Sequence, residues 1–275
     1  MKRAALWHYV GVLFIMFWGL APFYWMVVVA LRDKAHTFDT TPWPTNVTLE
    51  NFQDALATGK GNDFLGAIGN SLLISVATTS LAVVVGVFTA YALARLDFPG
   101  KGLVTGIILA ASMFPGIALV TPLFQLFGDL GWIGTYRAMI IPNISFALPL
   151  TIYTLVSFFR QLPWELEEAA RVDGASRGQA FRLVLLPLAA PALFTTAILA
   201  FIATWNEFML ARQLSTTATE PVTVAIARFS GPSAFEYPYA SIMAAGALVT
   251  VPLIIMVLIF QRRIVSGLTA GGVKA

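Results

Sequence analysis

Six long runs of apolar residues, separated by shorter polar stretches, dominate the pattern of this chain. Each run reaches the roughly 18 to 20 residues that an α-helix needs to cross the hydrocarbon core of a bilayer. Because unpaired backbone groups are costly in lipid, such runs are expected to be helical. The pattern predicts spans over about 6–31, 70–94, 103–127, 136–159, 184–209 and 239–260. The second span is predicted to open with a capping pair, Asn70 and Ser71.

Prolines lie inside the last four predicted spans, at positions 115, 122, 142, 149, 187, 191 and 252. Each one removes a backbone donor, and such breaks persist in membranes where protein or a wet cavity satisfies the freed carbonyls. Spans three, four and five are therefore predicted to line a cavity. Ordinary helix kinks without a ligand role are the alternative.

Composition agrees with a membrane protein. Apolar residues make up 58% of the 275 residues and charged residues only 11%, against roughly 25% charge in a soluble domain. The chain has no cysteine, which excludes disulfides and thiolate metal sites. We predict an all-α polytopic membrane protein with six transmembrane helices and one transmembrane domain over 1–275.

The distribution of basic residues predicts the orientation. Six spans place both termini on one side, which then carries eleven Lys and Arg residues against six on the other. Because positively charged loops stay inside, the richer side is predicted to be cytoplasmic. The segments 32–69 and 210–238 are then outside, and the charged loop between spans four and five is inside.

Motifs for catalysis are missing from the sequence. It contains no G-x-x-x-x-G-K-[ST] loop, no H-x-x-x-H pair and no G-x-S-x-G elbow. Its two histidines, His8 and His36, lie near the first span, where a histidine is usually an interfacial polar residue. We predict that the chain is not an enzyme and carries no metal or cofactor of its own.

The most highly charged stretch is 161–188, "QLPWELEEAARVDGASRGQAFRLVLLPL". Pro163 suits a helix start, and the three glutamates that follow it suit the positive end of a helix dipole. Gly174 is a natural helix stop. The pattern predicts a short helix over about 163–176, a turn, and a second helix from about Ser176 that continues into span five.

Two interpretations of this short helix stay open. It could lie as a solvated helix on the membrane surface. However, it is acidic, and an anionic leaflet repels acid, while Ala169 and Ala170 permit close approach by another protein. Either Glu167 or Glu168 is spaced to pair with Arg171.

The same stretch resembles the signature of importer permeases of the ATP-binding-cassette superfamily. That signature is E-A-A, three residues, G, nine residues, then I-x-L-P. Here Glu168-Ala169-Ala170 precedes Gly174 at the right spacing, and Val184-Leu185-Leu186-Pro187 completes the motif with Val in place of Ile. The stretches 70–101, 201–211 and 260–275 resemble the carbohydrate branch of this family, of maltose and trehalose type.

The resemblance implies partners and a type I importer permease fold. Members pair with a second permease subunit above two ATPase subunits, which bind ATP and Mg, and an extracytoplasmic protein delivers the sugar. The short helix would then dock in a cleft of the ATPase, with Glu168 paired to a basic residue there. The residues implied in ATPase coupling are Glu168, Ala169, Ala170, Arg171, Asp173 and Gly174.

Two further segments carry weaker likenesses. The tail "SGLTAGGVKA" resembles the family tail that inserts along the ATPase dimer, with Gly267, Thr269, Gly271 and Lys274 as the implied contacts. A disordered terminus is the alternative. The segment from about 212 to 237 resembles a loop that displaces sugar from the binding protein, although its composition also fits a plain connector.

Polar residues within the spans are candidates for the substrate pathway, because a sugar needs hydrogen-bonding groups beside an aromatic face. An acid at a membrane span is costly and therefore suggests function. Helix ties or subunit contacts are the alternative. The candidates are Trp205, Asn206, Glu207, Gln125 and Asn143.

Three functions are weighed for the whole chain. The first is a permease subunit of an ATP-driven importer of a disaccharide such as trehalose or maltose. The second is a stand-alone transporter or channel driven by an ion gradient, for which Glu207 is essentially the one midplane acid. The third is a membrane enzyme, which would need an acid–base set that the sequence does not contain.

Overall fold

The computed structural model describes residues 2–57, 63–229 and 237–270, with side chains described between Trp7 and Gln261. Within these ranges the chain is helical apart from turns and one isolated antiparallel bridge between Arg32 and Val47. This confirms the all-α prediction. The α-helices are α1 Lys2–Ala30, α2 Glu50–Leu56, α3 Phe64–Arg95, α4 Lys101–Ser112, α5 Val120–Asp129, α6 Tyr136–Gln161, α7 Glu165–Val172, α8 Arg177–Ala180, α9 Leu186–Trp205, α10 Met209–Leu214, α11 Val222–Ala227 and α12 Tyr239–Ala270.

Five continuous helical stretches in the described part are long and apolar enough to cross a membrane. They are α1, α3, α6, α12 and the stretch Arg177–Trp205 that contains α8 and α9. The third predicted span is instead broken, with α4 and the segment Gly116–Asp129 bent by 89°. Pro115 lies at the break in an extended conformation, where its missing N–H and fixed φ cannot continue the helix.

Several predicted helix ends were wrong. The helix α3 begins at Phe64, so Asn70 and Ser71 lie inside it and do not cap it. Their side chains bind a later loop instead: Asn70 Nδ2 donates to the carbonyl of Glu220 at 3.0 Å, and Ser71 Oγ accepts from the Val222 amide at 2.8 Å. The span predicted to end near 209 stops at Trp205. The last helix runs to Ala270, well past the predicted 260.

The chain divides into two compact units. One comprises Met1–Ile68 and Val224–Ile254, and the other Gly69–Thr223 and Ile255–Ala275. In the first unit, Arg32 is fully buried and donates to the carbonyls of Asp39 and Thr41. Asn51 donates to the carbonyls of Ala30 and Arg32. These bonds tie the loop after α1 to the end of that helix.

In the second unit, helices α3, α6 and α9 pack around a buried cluster with many small side chains. Small residues let helices approach closely, which is the usual basis of helix packing in membranes. The closest approach is at Gly86 of α3, where an added Cβ would lie 2.5 Å from Thr151 Cγ2 on α6. The cluster comprises Val87, Ala90, Ala94, Leu155, Phe159, Phe181, Leu185, Ala189 and Ala192.

Candidate functional site

The charged stretch folds as a helix, a turn and a second helix, which confirms the predicted order. Gly174 has a φ of 89°, a left-handed conformation that glycine adopts without strain. Ser176 Oγ accepts from the Gln179 amide, and the Gln179 side chain accepts from the Ser176 amide. This capping box starts the second helix at the residue predicted from the sequence.

The first helix of this pair, α7, begins at Glu165, two residues after Pro163. The residue before the proline, Leu162, is extended, as proline imposes on its predecessor. The Trp164 carbonyl then accepts from the amides of Glu167 and Glu168. Proline therefore ends α6, and α7 starts afterwards.

Glu167 is buried on the inner face of α7 and accepts a hydrogen bond at 3.1 Å from the Tyr91 hydroxyl of α3. Among the residues that the structure describes, neither Glu167 nor Glu168 forms an ion pair with Arg171. The Glu167 side chain faces α3 and does not run along the helix surface, so the spacing to Arg171 is not used.

Arg95, in the last turn of α3, holds the start of α7. Its Nη2 donates to the Leu162 carbonyl at 2.6 Å, and its guanidinium lies 4.4 Å from the centre of the Trp164 ring. Its buried Nε and Nη1 have no hydrogen-bond partner in the described part of the chain, and neither has the buried Oε2 of Glu167. Sequence reasoning missed both Arg95 and Tyr91. A basic residue in the last turn of a span was the one available signal for Arg95.

The second helix of the pair also packs against Tyr91. Its ring lies 4.6 Å from the ring of Phe181, and Phe159 lies 6.3 Å from the same phenylalanine. Phe181 begins a five-residue π-helical segment, Phe181–Leu185, that joins α8 directly to α9. Tyr91 therefore contacts both sides of the Gly174 turn, one side through its hydroxyl and the other through its ring.

The outer face of α7 is open. Glu168, Ala169, Arg171, Asp173 and Gly174 are exposed, while Ala170 is half-buried. Val172 projects beside them with 87% of its surface exposed; the sequence prediction omitted it.

A cleft of about 620 Å³ runs along the base of α7 and has both acidic and basic walls. Such a charged concave surface can accept a polar side chain from another protein. Its lining residues are Arg95, Leu96, Asp97, Phe98, Trp164, Glu167, Glu168, Arg171 and Arg177.

The structure describes only part of the tail that is predicted to contact an ATPase. Gly267 and Thr269 lie in the helical backbone of α12, but their side chains are outside the described residues. Gly271 and Lys274 lie outside them entirely. Their contact with an ATPase stays a prediction.

Two of the predicted pathway residues, Asn143 and Glu207, line a common cavity of about 290 Å³. The bent third span, α6 and α9 supply its walls, which are the spans predicted to surround a cavity. Asn143 Nδ2 donates to the Met139 carbonyl at 2.9 Å. The Glu207 carboxylate accepts from the amides of Leu210 and Ala211 at 2.8 and 3.0 Å. Glu207 thus caps the short helix α10, which is a structural role.

The other three pathway candidates lie elsewhere. Trp205 is buried, with 1% of its surface exposed, and its ring stacks on Phe201 at 5.6 Å. Asn206 donates to the Ile202 carbonyl at 2.8 Å and is exposed. Gln125 is exposed on α5. None of the three lines the cavity that holds Asn143 and Glu207.

Comparisons with known proteins agree with this architecture. Residues 82–269 match the family described as binding-protein-dependent transport system inner membrane component. The chain is 47% identical to the trehalose transport system permease protein SugB of Mycobacterium tuberculosis, covering 99% of this chain and 98% of that one. It is 41% identical to the trehalose/maltose transport system permease protein MalG of Thermococcus litoralis, covering 96% and 95%.

More distant comparisons extend the likeness. The sulfoquinovosyl glycerol transport system permease protein SmoH of Agrobacterium fabrum is 38% identical, covering 93% of this chain and 89% of that one. Among solved structures, a chain of a bacterial transporter that imports the acidic polysaccharide alginate superposes with a TM-score of 0.78 at 22% identity. That match covers 95% of this chain and 96% of the other. At this identity the match supports the fold.

Proposed function

The chain belongs to the family of inner membrane components of binding-protein-dependent transport systems, and on that premise we propose that it is a permease subunit of an ATP-driven sugar importer. The proposed substrate is a glucose disaccharide such as trehalose or maltose. Two relatives of nearly equal length carry trehalose in their names, and one of them also carries maltose. The sulfoquinovosyl glycerol relative is less similar, at 38% identity.

The observation that carries the proposal is the attachment of α7 to α3, because α3 also packs through Tyr91 against Phe181, at the start of the segment that continues into α9. The outer face of α7 is open and charged, while its inner face is held by Tyr91 and Arg95. A partner that pushes on α7 therefore moves two membrane-spanning helices at once. Packed helices shift as bodies between discrete arrangements, which is how a push at one end can open or close a central path.

The proposed source of the push is a separate ATPase. The sequence has no phosphate-binding loop, so we assign ATP and Mg to two ATPase subunits that dock on α7. A second permease subunit would complete the pathway, and an extracytoplasmic sugar-binding protein would deliver the substrate. With the surplus of basic residues inside, both termini and α7 face the cytoplasm.

The cavity lined by Asn143 and Glu207 is the proposed contribution of this subunit to the pathway. Its wall also includes Phe146 and Thr204, so it combines an aromatic face with polar groups as a sugar requires. The alternative of a stand-alone ion-coupled transporter needs a free acid near the midplane. Glu207 is instead engaged with two backbone amides of α10.

The experiment that tests this proposal is purification of the chain with its genomic neighbours. We expect an ATPase subunit and a second permease to co-purify in detergent. Binding protein loaded with trehalose or maltose should stimulate ATP hydrolysis by that complex, and sugar-free binding protein should stimulate it less. A chain that purifies alone and transports the sugar without ATP contradicts the proposal.

A further inference from the structure

The loop between α1 and α2, residues 31–49, folds back along the membrane-spanning helix that precedes it. The Tyr24 hydroxyl of α1 donates a hydrogen bond to the Pro42 carbonyl. Tyr24 lies six residues before the end of α1 at Ala30, a distance of about 9 Å along the axis. Tyrosine side chains in helices point toward the N-terminus, so Pro42 lies at least that far back along the helix.

This position places part of the loop at the level of the membrane boundary. The apolar part of α1, Trp7–Ala30, has 24 residues and is about 36 Å long at 1.5 Å per residue. The hydrocarbon core is about 30 Å thick, within roughly 40 to 45 Å including the headgroup regions. A loop that returns about 9 Å from Ala30 therefore reaches the boundary between headgroups and acyl chains.

Several backbone carbonyls of the loop are paired with side-chain donors of the protein. Arg32 donates to the carbonyls of Asp39 and Thr41. The Thr41 hydroxyl donates to the Trp43 carbonyl at 3.1 Å, and the Tyr24 hydroxyl donates to the Pro42 carbonyl. Four carbonyls of the returning stretch thus have side-chain donors from the protein itself. Non-helical backbone at membrane depth needs this kind of internal partner, because lipid supplies none.

The outer surface of residues 38–49 carries four large apolar side chains beside the exposed Thr40 and Asn46. Phe38 is 80% exposed, Trp43 61%, Val47 66% and Leu49 60%. The one acid between Phe38 and Leu49, Asp39, accepts a hydrogen bond at 3.0 Å from the Thr45 hydroxyl. A polar backbone turned inward with aromatic and aliphatic side chains turned outward is the reverse of an ordinary solvated loop.

We propose that this loop is a membrane anchor, with Trp43 seated in the headgroup–acyl boundary of the leaflet at the Ala30 end of α1 and Val47, whose backbone pairs with Arg32, in the headgroup layer. Tryptophan is enriched at this depth because its ring is apolar and its N–H is polar. The anchor fixes how deeply α1 sits and limits its tilt. The fully buried Arg32, stacked 5.1 Å from the Trp25 ring, ties the anchor to the helix. The proposal does not depend on which solute the protein transports.

The test is a depth measurement with spin labels. The chain has no cysteine, so W43C and V47C each give a single labelling position, and V47C leaves Trp43 in place. The labelled full-length chain is reconstituted in phosphatidylcholine vesicles with the subunits that co-purify with it, using cysteine-free forms of those subunits. Collision of the label with oxygen, which concentrates in lipid, is compared with collision with a water-soluble nickel complex.

We expect oxygen collisions to exceed nickel collisions at position 43, and the ratio of the two at position 47 to lie between those at positions 43 and 53. The matched control is Q53C, an exposed polar position on α2, where nickel collisions should dominate. Nickel access at 43 and 47 equal to that at 53 would show that the loop faces water, and it would overturn the proposal. Protection from both reagents would show a protein partner over the loop and would overturn it as well.

Discussion

The Tyr91 hydroxyl, near the end of α3, donates a hydrogen bond of 3.1 Å to the buried carboxylate of Glu167 in α7. The ring of the same tyrosine lies 4.6 Å from Phe181, beyond the Gly174 turn. One side chain of the membrane-spanning helix α3 therefore contacts α7 on one side of the Gly174 turn and Phe181 on the other. The contact joins α7 to α3, and Phe181 continues into α9 through the π-helical segment.

Replacing Tyr91 with phenylalanine tests this link. The variant keeps the ring against Phe181 but leaves the Glu167 carboxylate without its donor, a cost of about 1–3 kcal/mol for a buried group. We expect fewer sugar molecules transported per ATP hydrolysed, with the complex still assembled. The ratio is measured in proteoliposomes.

Tyr153→Phe is the matched control for that experiment, because Tyr153 is 70% exposed on α6. It should leave the transport-to-hydrolysis ratio unchanged. If Tyr91→Phe also keeps the normal ratio, the hydroxyl has no part in coupling.

Replacing Glu168 with alanine tests the outer face of α7. Glu168 is exposed, so its loss should leave the thermal stability of the isolated chain unchanged. If its carboxylate pairs with a basic residue of the ATPase, truncation should weaken that complex by about 2 kcal/mol or more. ATPase retention on the purified permease measures the effect.

Glu165→Ala provides the comparison, since Glu165 is exposed in the first turn of the same helix. We expect it to retain the ATPase. If both variants retain the ATPase equally, Glu168 is not part of the docking surface.

Val172 offers a separate test of the same face, because its side chain is 87% exposed. Val172→Asp should fold normally yet lose ATPase, since a new carboxylate would be buried at the contact without a partner. Co-purification with the ATPase measures the loss. Undiminished co-purification would show that the contact does not include this residue.

Helix packing in the second unit makes a prediction about stability. Gly86→Ala places a methyl group 2.5 Å from Thr151 Cγ2, and overpacking of this kind costs about 1–3 kcal/mol. The melting temperature in detergent should fall. The double variant Gly86→Ala with Thr151→Ser removes the opposing methyl group and should restore most of it.

The control for this packing prediction is Gly106→Ala in α4, where an added Cβ meets no atom of the described residues within 4 Å. Its stability should be unchanged or slightly higher, because alanine favours a helix over glycine by about 1 kcal/mol. A loss at position 106 as large as that at 86 would contradict the packing explanation.

Much of this fold could be predicted from sequence because membrane spans depend on run length. A run of about twenty apolar residues predicts a membrane-spanning helix wherever it occurs. The acids of α7, Gly174 and Ser176 likewise predict a helix, a turn and a second helix from local chemistry alone. In the part of the chain that the structure describes, five of the six runs form continuous helices of membrane-spanning length in the predicted order, with ends shifted by several residues, while the third is broken at Pro115.

What could not be predicted depends on partners that are distant along the chain. Asn70 and Ser71 have the composition of a helix cap, yet they bind a loop about 150 residues later. The partner of Tyr91 is 76 residues away, and that of Arg95 is 67 residues away. Helix periodicity contains no information about such pairs, so the contacts made by the inner face of α7 could be found only from the structure.

The measurement that tests the central claim most directly is trehalose or maltose uptake by vesicles that hold this chain, its co-purified subunits and binding protein. Uptake should require ATP on the side that bears α7 and should persist when ion gradients are collapsed with ionophores. Uptake that continues without ATP and stops with the ionophores would contradict the account.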